Sequence, residues 1–349
     1  MDDRRLMSPR LKKVLQALLG FLLAGLFMYL AFRGVSFSDL WASLQNVNYV
    51  WISFLIPIAI VSHWLRAVRW AYLLSPVKAK TSHHKLFSAV MIGFMVNNVL
   101  PRVGEVVRAF AVGRSEGISK TAAFGTVVVE RIIDMVTFLF ILCIVLFISP
   151  NTLDPFFDNV DSVRPLFLVG SILFLGIFAL LFFKGEALFS LLNILKRFVP
   201  KRFIGRYEDL VNSFLSGFGV AKHHDKLAMI IILSLLIYFF YALSLYVPFY
   251  AFSVIAEKNL GFGASVILLM VSTMAFALPA PGALGTYHSF VTVALTGLYG
   301  IDKSTALSFS IVTHETGYII ITVVGLFYFI KDHLRFSEVM RESTERNTV

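Results

Sequence analysis

Thirty consecutive residues, 227–256, contain no charged side chain. As a helix rising about 1.5 Å per residue, such a run outlasts the roughly 30 Å hydrocarbon core of a bilayer. Five more stretches have the same character. Residues 14–32 and 165–183 are each 19 residues without a charge, and 50–74 carries only Arg66 and Arg69. Residues 121–149 carry Glu130, Arg131 and Asp134, and 304–330 carry His314 and Glu315. Charged residues make up 15% of the chain, against about a quarter in soluble domains. The fold class is therefore an all-α polytopic membrane protein, read as one integral domain over 1–349. Cys143 is the single cysteine, so neither an intrachain disulfide nor a cysteine metal site is available.

Two other apolar stretches, 86–101 and 259–301, resist this simple count. The first runs into Arg102, Glu105 and Arg108. The second is 43 residues without Asp, Glu, Lys or Arg, interrupted at Leu278-Pro-Ala-Pro-Gly-Ala-Leu-Gly285. A Pro/Gly break in each predicts two half-helices joined by a turn. If 86–112 turns back to its starting side, the segments 1–13, 75–85, 113–120, 184–226 and 331–349 share one side and hold 22 of the 31 Lys and Arg. The opposite side then holds Arg33, Arg164, Lys258 and Lys303. Cytoplasmic loops carry the excess of basic residues, so this re-entrant arrangement is favoured, with both termini cytoplasmic. For 259–301, a re-entrant hairpin and two short spans satisfy the same parity. The N-terminal run follows a basic flank and lacks a small-residue cleavage site, so it reads as an anchor. The topology suits a plasma membrane.

The broken segments resemble each other. Gly117-Ile-Ser-Lys-Thr121 recurs as Gly300-Ile-Asp-Lys-Ser304, and Leu100-Pro-Arg-Val-Gly104 corresponds to Pro281-Gly-Ala-Leu-Gly285. The halves 14–149 and 165–330 then share one order: two spans, a broken pair, a span. Three spans separate corresponding elements, so the repeat is inverted. Transporters with inverted repeats place their sites where broken helices meet. A packing kink in each half is the plainer alternative.

Intramembrane charge is costly, about 3 kcal/mol per residue at a helix centre on insertion scales. Arg102, Glu105 and Arg108 follow Pro101, where a half-helix begins with unpaired N–H groups that suit a phosphate. Arginine adds bidentate recognition. Asn97 and Asn98 stand ready to cap or donate, and Gly104 lies in the same turn. Glu130, Arg131 and Asp134 would form an opposing polar wall, Glu105 would position the arginines, and Gly282, Gly285, Thr286 and His288 would complete the cavity from the second half. An ion-pair knot without a ligand is the competing reading. Arg66 and Arg69, beside Trp64 and Trp70, read as snorkelling at an aromatic belt. His314 and Glu315 suit proton coupling or a satisfied polar contact. His83-His84 and His223-His224 lack metal-site spacing, and no metal or cofactor is expected. The stretch 185–226 reads as a cytoplasmic amphipathic segment against anionic lipid. Its basic residues track the cytoplasmic face, so nucleic acid is not an expected partner.

The run Asn98-Val-Leu-Pro-Arg-Val-Gly-Glu-Val-Val-Arg108, then Glu130-Arg131-x-x-Asp134, then Leu278-Pro-Ala-Pro-Gly-Ala-Leu-Gly285, resembles the flippase-like transmembrane domain of lysylphosphatidylglycerol synthases over about 50–335. The family often has an acidic residue at the position of His288 and Arg near His314. In two-domain members this region is associated with moving aminoacylated phosphatidylglycerol between leaflets, and a soluble domain performs aminoacyl transfer. Only 19 residues follow position 330 here, so lysyl transfer is not expected.

The resemblance and the charges together imply a lipid translocator for an anionic or polyprenyl-phosphate-linked headgroup, downhill or ion-coupled. It would not be an enzyme. No GxxxxGK[ST] motif occurs, so ATP hydrolysis is not indicated. Arg102 and Arg108 would hold the phosphate, and replacing either is expected to leave folding intact. An integral membrane enzyme acting on a lipid phosphate or glycosyl linkage, and a scaffold for a partner lipid synthase, are the alternatives. Membrane lipids are the expected partners, with a homodimer or a synthase as protein partner.

Overall fold

A computed structural model of the chain describes residues 9–157, 159–183 and 224–333, with a few isolated positions between 194 and 211. The amphipathic segment read over 185–226 lies outside the described residues apart from those positions and its last three. The described chain is helical. It comprises α1 (Pro9–Phe32), α2 (Phe37–Gln45), α3 (Tyr49–Ser53), α4 (Leu55–Leu74), α5 (His83–Val99), α6 (Val103–Glu116), α7 (Lys120–Ile148) and α8 (Val160–Phe183). Then come α9 (His224–Tyr246), α10 (Ser253–Ala256), α11 (Phe262–Ala277), α12 (Thr286–Tyr299) and α13 (Lys303–Lys331). Short 3-10 helices cover Pro150–Phe156, Val247–Ala251 and Pro281–Ala283.

Five helices or stacked pairs are long and apolar enough to cross a membrane, and α1 with α2 makes a sixth, bent by 85°. All six apolar stretches of the sequence are thus helical. Their outward faces stay apolar because lipid replaces water: Leu22, Phe147 and Leu166 are each at least 70% exposed.

Both broken segments are hairpins. At the first, Leu100 precedes Pro101 and takes an extended conformation, which ends α5. Arg102 then turns the chain with a left-handed φ of 68°. The limbs touch at Gly93 and Gly104: a Cβ on Gly104 would overlap the Gly93 carbonyl oxygen. Small residues at this crossing let the backbones approach. The mouth closes where Lys78 Nζ lies 2.7 Å from a Glu116 oxygen and Lys85 donates to the Ser115 carbonyl at 2.7 Å. The segment therefore returns to its starting side, as the charge partition predicts.

The second broken segment folds back in the same way. Phe262, at the start of α11, packs on Phe239 and Tyr246 of α9 at 5.4 and 5.6 Å. Near the end of α12, Gly297 abuts Pro155, beyond the C-terminal end of α7. Leu153 and Leu295 share one core with Leu146 and Leu245, so both limbs open at the same end. That end is opposite the first mouth, which packs on Tyr328 and Asp332 at the end of α13. Lys78, Lys85, Lys226 and Lys331 gather at the first mouth, while Lys303 reaches the Arg33 carbonyl at the other end.

The repeated Gly-Ile-x-Lys motif folds alike both times. Gly117 and Gly300 end α6 and α12 in the left-handed region, with φ of 66° and 61°. Ser119 and Asp302 then cap helices of equal length, 29 residues each, accepting the Ala122 and Thr305 N–H groups. The two copies of the motif thus match in cap and in the length of the helix that follows.

Candidate functional site

The hairpin tips meet inside the bundle. A Cβ on Gly282, at the second tip, would lie 3.0 Å from the Asn98 carbonyl oxygen at the first. Asn98 Nδ2 donates to Thr322 Oγ1 at 3.0 Å and to the Tyr318 carbonyl at 3.4 Å, tying the first tip to α13. Asn97 Oδ1 accepts the Gly104 N–H at 2.8 Å, and its amide donates to both Glu105 oxygens at 3.2 Å. Both asparagines are thus committed to holding the turn.

Behind the first tip lies a buried charge network. Glu130 on α7 is fully buried and pairs with Arg108 from α6 and with Arg66 from α4 at 2.5 Å. Asp134, one helical turn on, takes Arg66 at 2.9 Å and Arg69 at 2.5 Å. Arg66 also donates to the Tyr241 hydroxyl at 3.0 Å, and Arg69 to Ser234 Oγ at 2.9 Å. The Arg108 guanidinium stacks 4.0 Å above the Trp70 ring, whose N–H donates to Thr126 at 2.9 Å. Stacking and bidentate pairing both favour arginine over lysine here.

Three sequence expectations need correcting. Arg66 and Arg69 do not snorkel: they are 3% and 0% exposed, and Trp70 beside them is fully buried rather than in a belt. An arginine that finds two carboxylates in the protein has no reason to seek the headgroup region. Arg108 is not free for a phosphate, because Glu130 already holds it. Its removal would leave Glu130 to Arg66 and Arg69 alone and open a gap over Trp70, so folding is not expected to survive Arg108→Ala unharmed.

Arg102 differs from Arg108 in every respect. It is exposed at the tip, and among the described residues it makes no hydrogen bond or ion pair. Between tip and network, Arg131 and Glu105 lie 3.6 Å apart, partly exposed, with Arg131 also 3.4 Å from Asp134. Arg66, Arg69, Arg108 and Arg131 face three carboxylates, Glu105, Glu130 and Asp134. One positive charge is left over before Arg102 is counted. The buried Nε atoms of Arg69 and Arg108 make no hydrogen bond, and Arg131 Nε has only the Glu105 oxygen at 3.6 Å.

The second tip carries no arginine. Gly285 has φ of 78° and backs onto α1, where a Cβ would overlap the Ala24 carbonyl oxygen. Thr286 Oγ1 donates to the Ala283 carbonyl at 3.0 Å and is buried. These two shape the turn and are not open to a ligand. His288, His314 and Glu315 do come together, with His314 Nδ1 3.1 Å and His288 Nε2 3.7 Å from Glu315 Oε1.

From the sequence, Trp70 reads only as a belt residue, and Thr126, Ser234, Tyr241 and Tyr238 are not singled out; the Tyr238 hydroxyl donates to the Asp134 carbonyl at 2.9 Å. A signal for part of this was present. Arg66 and Arg69 lie at i,i+3 and Glu130 and Asp134 at i,i+4, so each pair shares a helix face and the two match as a ladder. His63 joins the edge of the network, its ring 4.8 Å from Phe94 and its Nδ1 unpartnered.

The model of the lysylphosphatidylglycerol synthase transmembrane region matches residues 17–325. A UPF0104 membrane protein of Methanocaldococcus jannaschii is 24% identical, over 80% of this chain and 83% of its own length. Another from Methanothermobacter thermautotrophicus is 25% identical over 81% of this chain and 86% of its own. The glycosyltransferase AglD of Haloferax volcanii is 23% identical over 97% of this chain, which spans 58% of that protein. No solved structure matches. A lipid-related role in the membrane fits these relatives and the arginine-rich hairpin alike. The chain belongs to the lysylphosphatidylglycerol synthase transmembrane-region family.

Proposed function

We propose that this protein moves a lipid bearing a phosphate headgroup between leaflets, with the headgroup passing where the two hairpin tips meet. The observation that carries this is Arg102. It is an exposed, unpaired arginine in a left-handed turn at the midpoint of a re-entrant hairpin. It opens a half-helix, and the network behind it has an excess of positive charge. An anion entering there gains both the arginine and the helix N-terminus. Glu105 and Arg131 form the adjoining rim. A phosphate reaches Arg108 only by displacing Glu130.

Two opposed hairpins, matched in caps and lengths, support an inverted repeat of halves 14–149 and 165–330, the arrangement from which alternating access follows. The lysine-rich end would face the cytoplasm of a plasma membrane, with both termini on that side. Movement is downhill or ion-coupled, and a homodimer or a partner lipid synthase would be the protein partner.

In proteoliposomes carrying a fluorescent phosphatidylglycerol, Arg102→Ala is expected to cut leaflet exchange at least tenfold while stability stays within about 0.5 kcal/mol, as for an exposed position. Full exchange in this variant sinks the phosphate site. The glycosyltransferase relative favours a second reading, in which the chain acts on a glycosyl linkage of a lipid. Mass spectrometry separates the two, since an enzyme alters the lipid and a translocator alters only its leaflet.

A further inference from the structure

The turn of the second hairpin is held by a histidine whose two ring nitrogens face acceptors. His314 Nε2 lies 2.8 Å from the Gly282 carbonyl oxygen. A carbonyl only accepts, so Nε2 carries a hydrogen. His314 Nδ1 lies 3.1 Å from Glu315 Oε1. An ionised carboxylate also only accepts, so this contact is attractive only with a hydrogen between the two atoms. A neutral imidazole beside an ionised carboxylate has one hydrogen for two acceptors. The pair as arranged therefore holds one proton more.

His288 narrows what the extra cation can be. Its Nδ1 accepts the Gly285 N–H at 3.3 Å, which places its own hydrogen on Nε2, aimed at Glu315 3.7 Å away. One ring nitrogen each from His288 and His314 and a Glu315 oxygen lie within 4.8 Å of one another, a spacing that a metal ion would also suit, with His288 Nε2 the nitrogen nearest Glu315. A metal ligand nitrogen must be unprotonated, however, and His288 Nε2 is not. The cation that fits these hydrogen positions is the proton. Other groups around His314 are Tyr287 from α12, with ring centroids 4.9 Å apart, Tyr318 at 6.2 Å on α13, and Phe276 from α11 at 6.2 Å. The Tyr287 hydroxyl is bound to Thr313 Oγ1 at 3.0 Å. Asn98 on α5 and the backbone of Ala24 on α1, both uncharged, lie against Gly282 and Gly285 of the turn that His314 holds. Among the described residues no Lys or Arg pairs with Glu315. Its side chain is 40% exposed, so a proton has a way in.

We propose that His314 and Glu315 form a proton-binding site whose occupancy fastens the second hairpin tip, through the Gly282 carbonyl, against the first. With the proton lost, His314 serves Gly282 or avoids the carboxylate, but not both. The Gly282 backbone rests directly on Asn98 and Tyr318, so releasing it frees the contact between the tips. This rests on the translocator reading only in taking tip separation as the step that passes the headgroup, which makes the proton the coupling ion.

The test uses spin labels at Val99 and Ala277, exposed positions on the two hairpins, in a Cys143→Ala background in nanodiscs. Distances are compared at about pH 5.5 and 8.5, which bracket histidine titration. A longer second population is expected at the higher pH. Glu315→Gln is expected to keep the short distance at both, because an uncharged amide can donate to Nδ1. His314→Gln is expected to show the long population at both. The same variants are then assayed for exchange of fluorescent phosphatidylglycerol under a pH gradient. The wild-type rate should change at least about fivefold with the gradient, and that of Glu315→Gln should not. Lipid exchange with neither distance nor rate responding to pH overturns the proton site. A pH-dependent distance without lipid exchange supports the site and sinks the translocator reading instead. If added zinc restores the short distance while pH alone has no effect, the site is a metal site and the proposal fails.

Discussion

The two hairpins use one backbone plan for two kinds of chemistry. Each ends its first limb at a proline-containing turn, passes a left-handed residue, and leaves its second limb through a left-handed glycine into a 29-residue helix. The first is backed by three buried arginines and two carboxylates. The second is backed by two histidines and a half-exposed glutamate, with no formal charge excess. A buried fixed charge must keep its partners, so the first hairpin is held by ion pairs that are expensive to break. A histidine beside a carboxylate changes charge by one proton, so the second is held by contacts that can be made and lost. One half is built to keep a field in place, the other to alter its contacts.

Breaking the comparison at its strongest point means Glu130→Gln set against Glu315→Gln. Glu130 is fully buried among three arginines, and losing its charge is expected to cost about 3–5 kcal/mol and lower the melting temperature sharply in detergent. Glu315 is partly exposed and faces only neutral or titrating groups, so its variant should melt within about 1 kcal/mol of wild type. Equal losses would show that the second site is structural as well. The next effect is steric. Gly104→Ala pushes a methyl into the Gly93 carbonyl and should cost about 1–3 kcal/mol by overpacking. Gly300→Ala meets open space and carries only the strain of its left-handed φ, about 1 kcal/mol. Thermal melts of the two variants rank these costs.

The smallest effect is at the first mouth. Burial raises the Glu116 carboxyl, but the hydrogen bonds from Lys78 and the Ser82 N–H, with the nearby Lys85 charge, outweigh it and hold its pKa below the ordinary value. A lowered native pKa stabilises above the unfolded value and is lost as pH falls through the native one. Hydrogen exchange in the first turn of α5 should therefore quicken as pH drops below about 4. Glu116→Gln should show the faster exchange already at neutral pH and lose the dependence. The second mouth, without such a pair among the described residues, should show none of it.

Much of this arrangement is legible along the chain. Helix count and the re-entrant first hairpin follow from apolar runs and the placement of lysines. Backbone turns at Leu100-Pro101 and Gly282–Gly285 follow from proline and glycine chemistry. What fails is the assignment of partners. Arg66 and Arg69 look like interfacial residues because they sit near the end of an apolar run, and nothing local reveals that α7 brings Glu130 and Asp134 alongside. Asn97 and Asn98 look like ligand donors because an amide's role depends on what it meets. Arg102 and Arg108 stand six residues apart in one motif, yet one is exposed and the other sealed against Trp70.

Sequence by itself determined the solvent and the ends. Long uncharged runs leave helices as the only way to satisfy backbone hydrogen bonds in lipid, and basic residues sort by side. Tertiary structure alone decided which arginines are spent and which one is left. A charge buried in a bilayer is settled by its neighbours within a few ångströms, and those neighbours come from helices far apart in the chain.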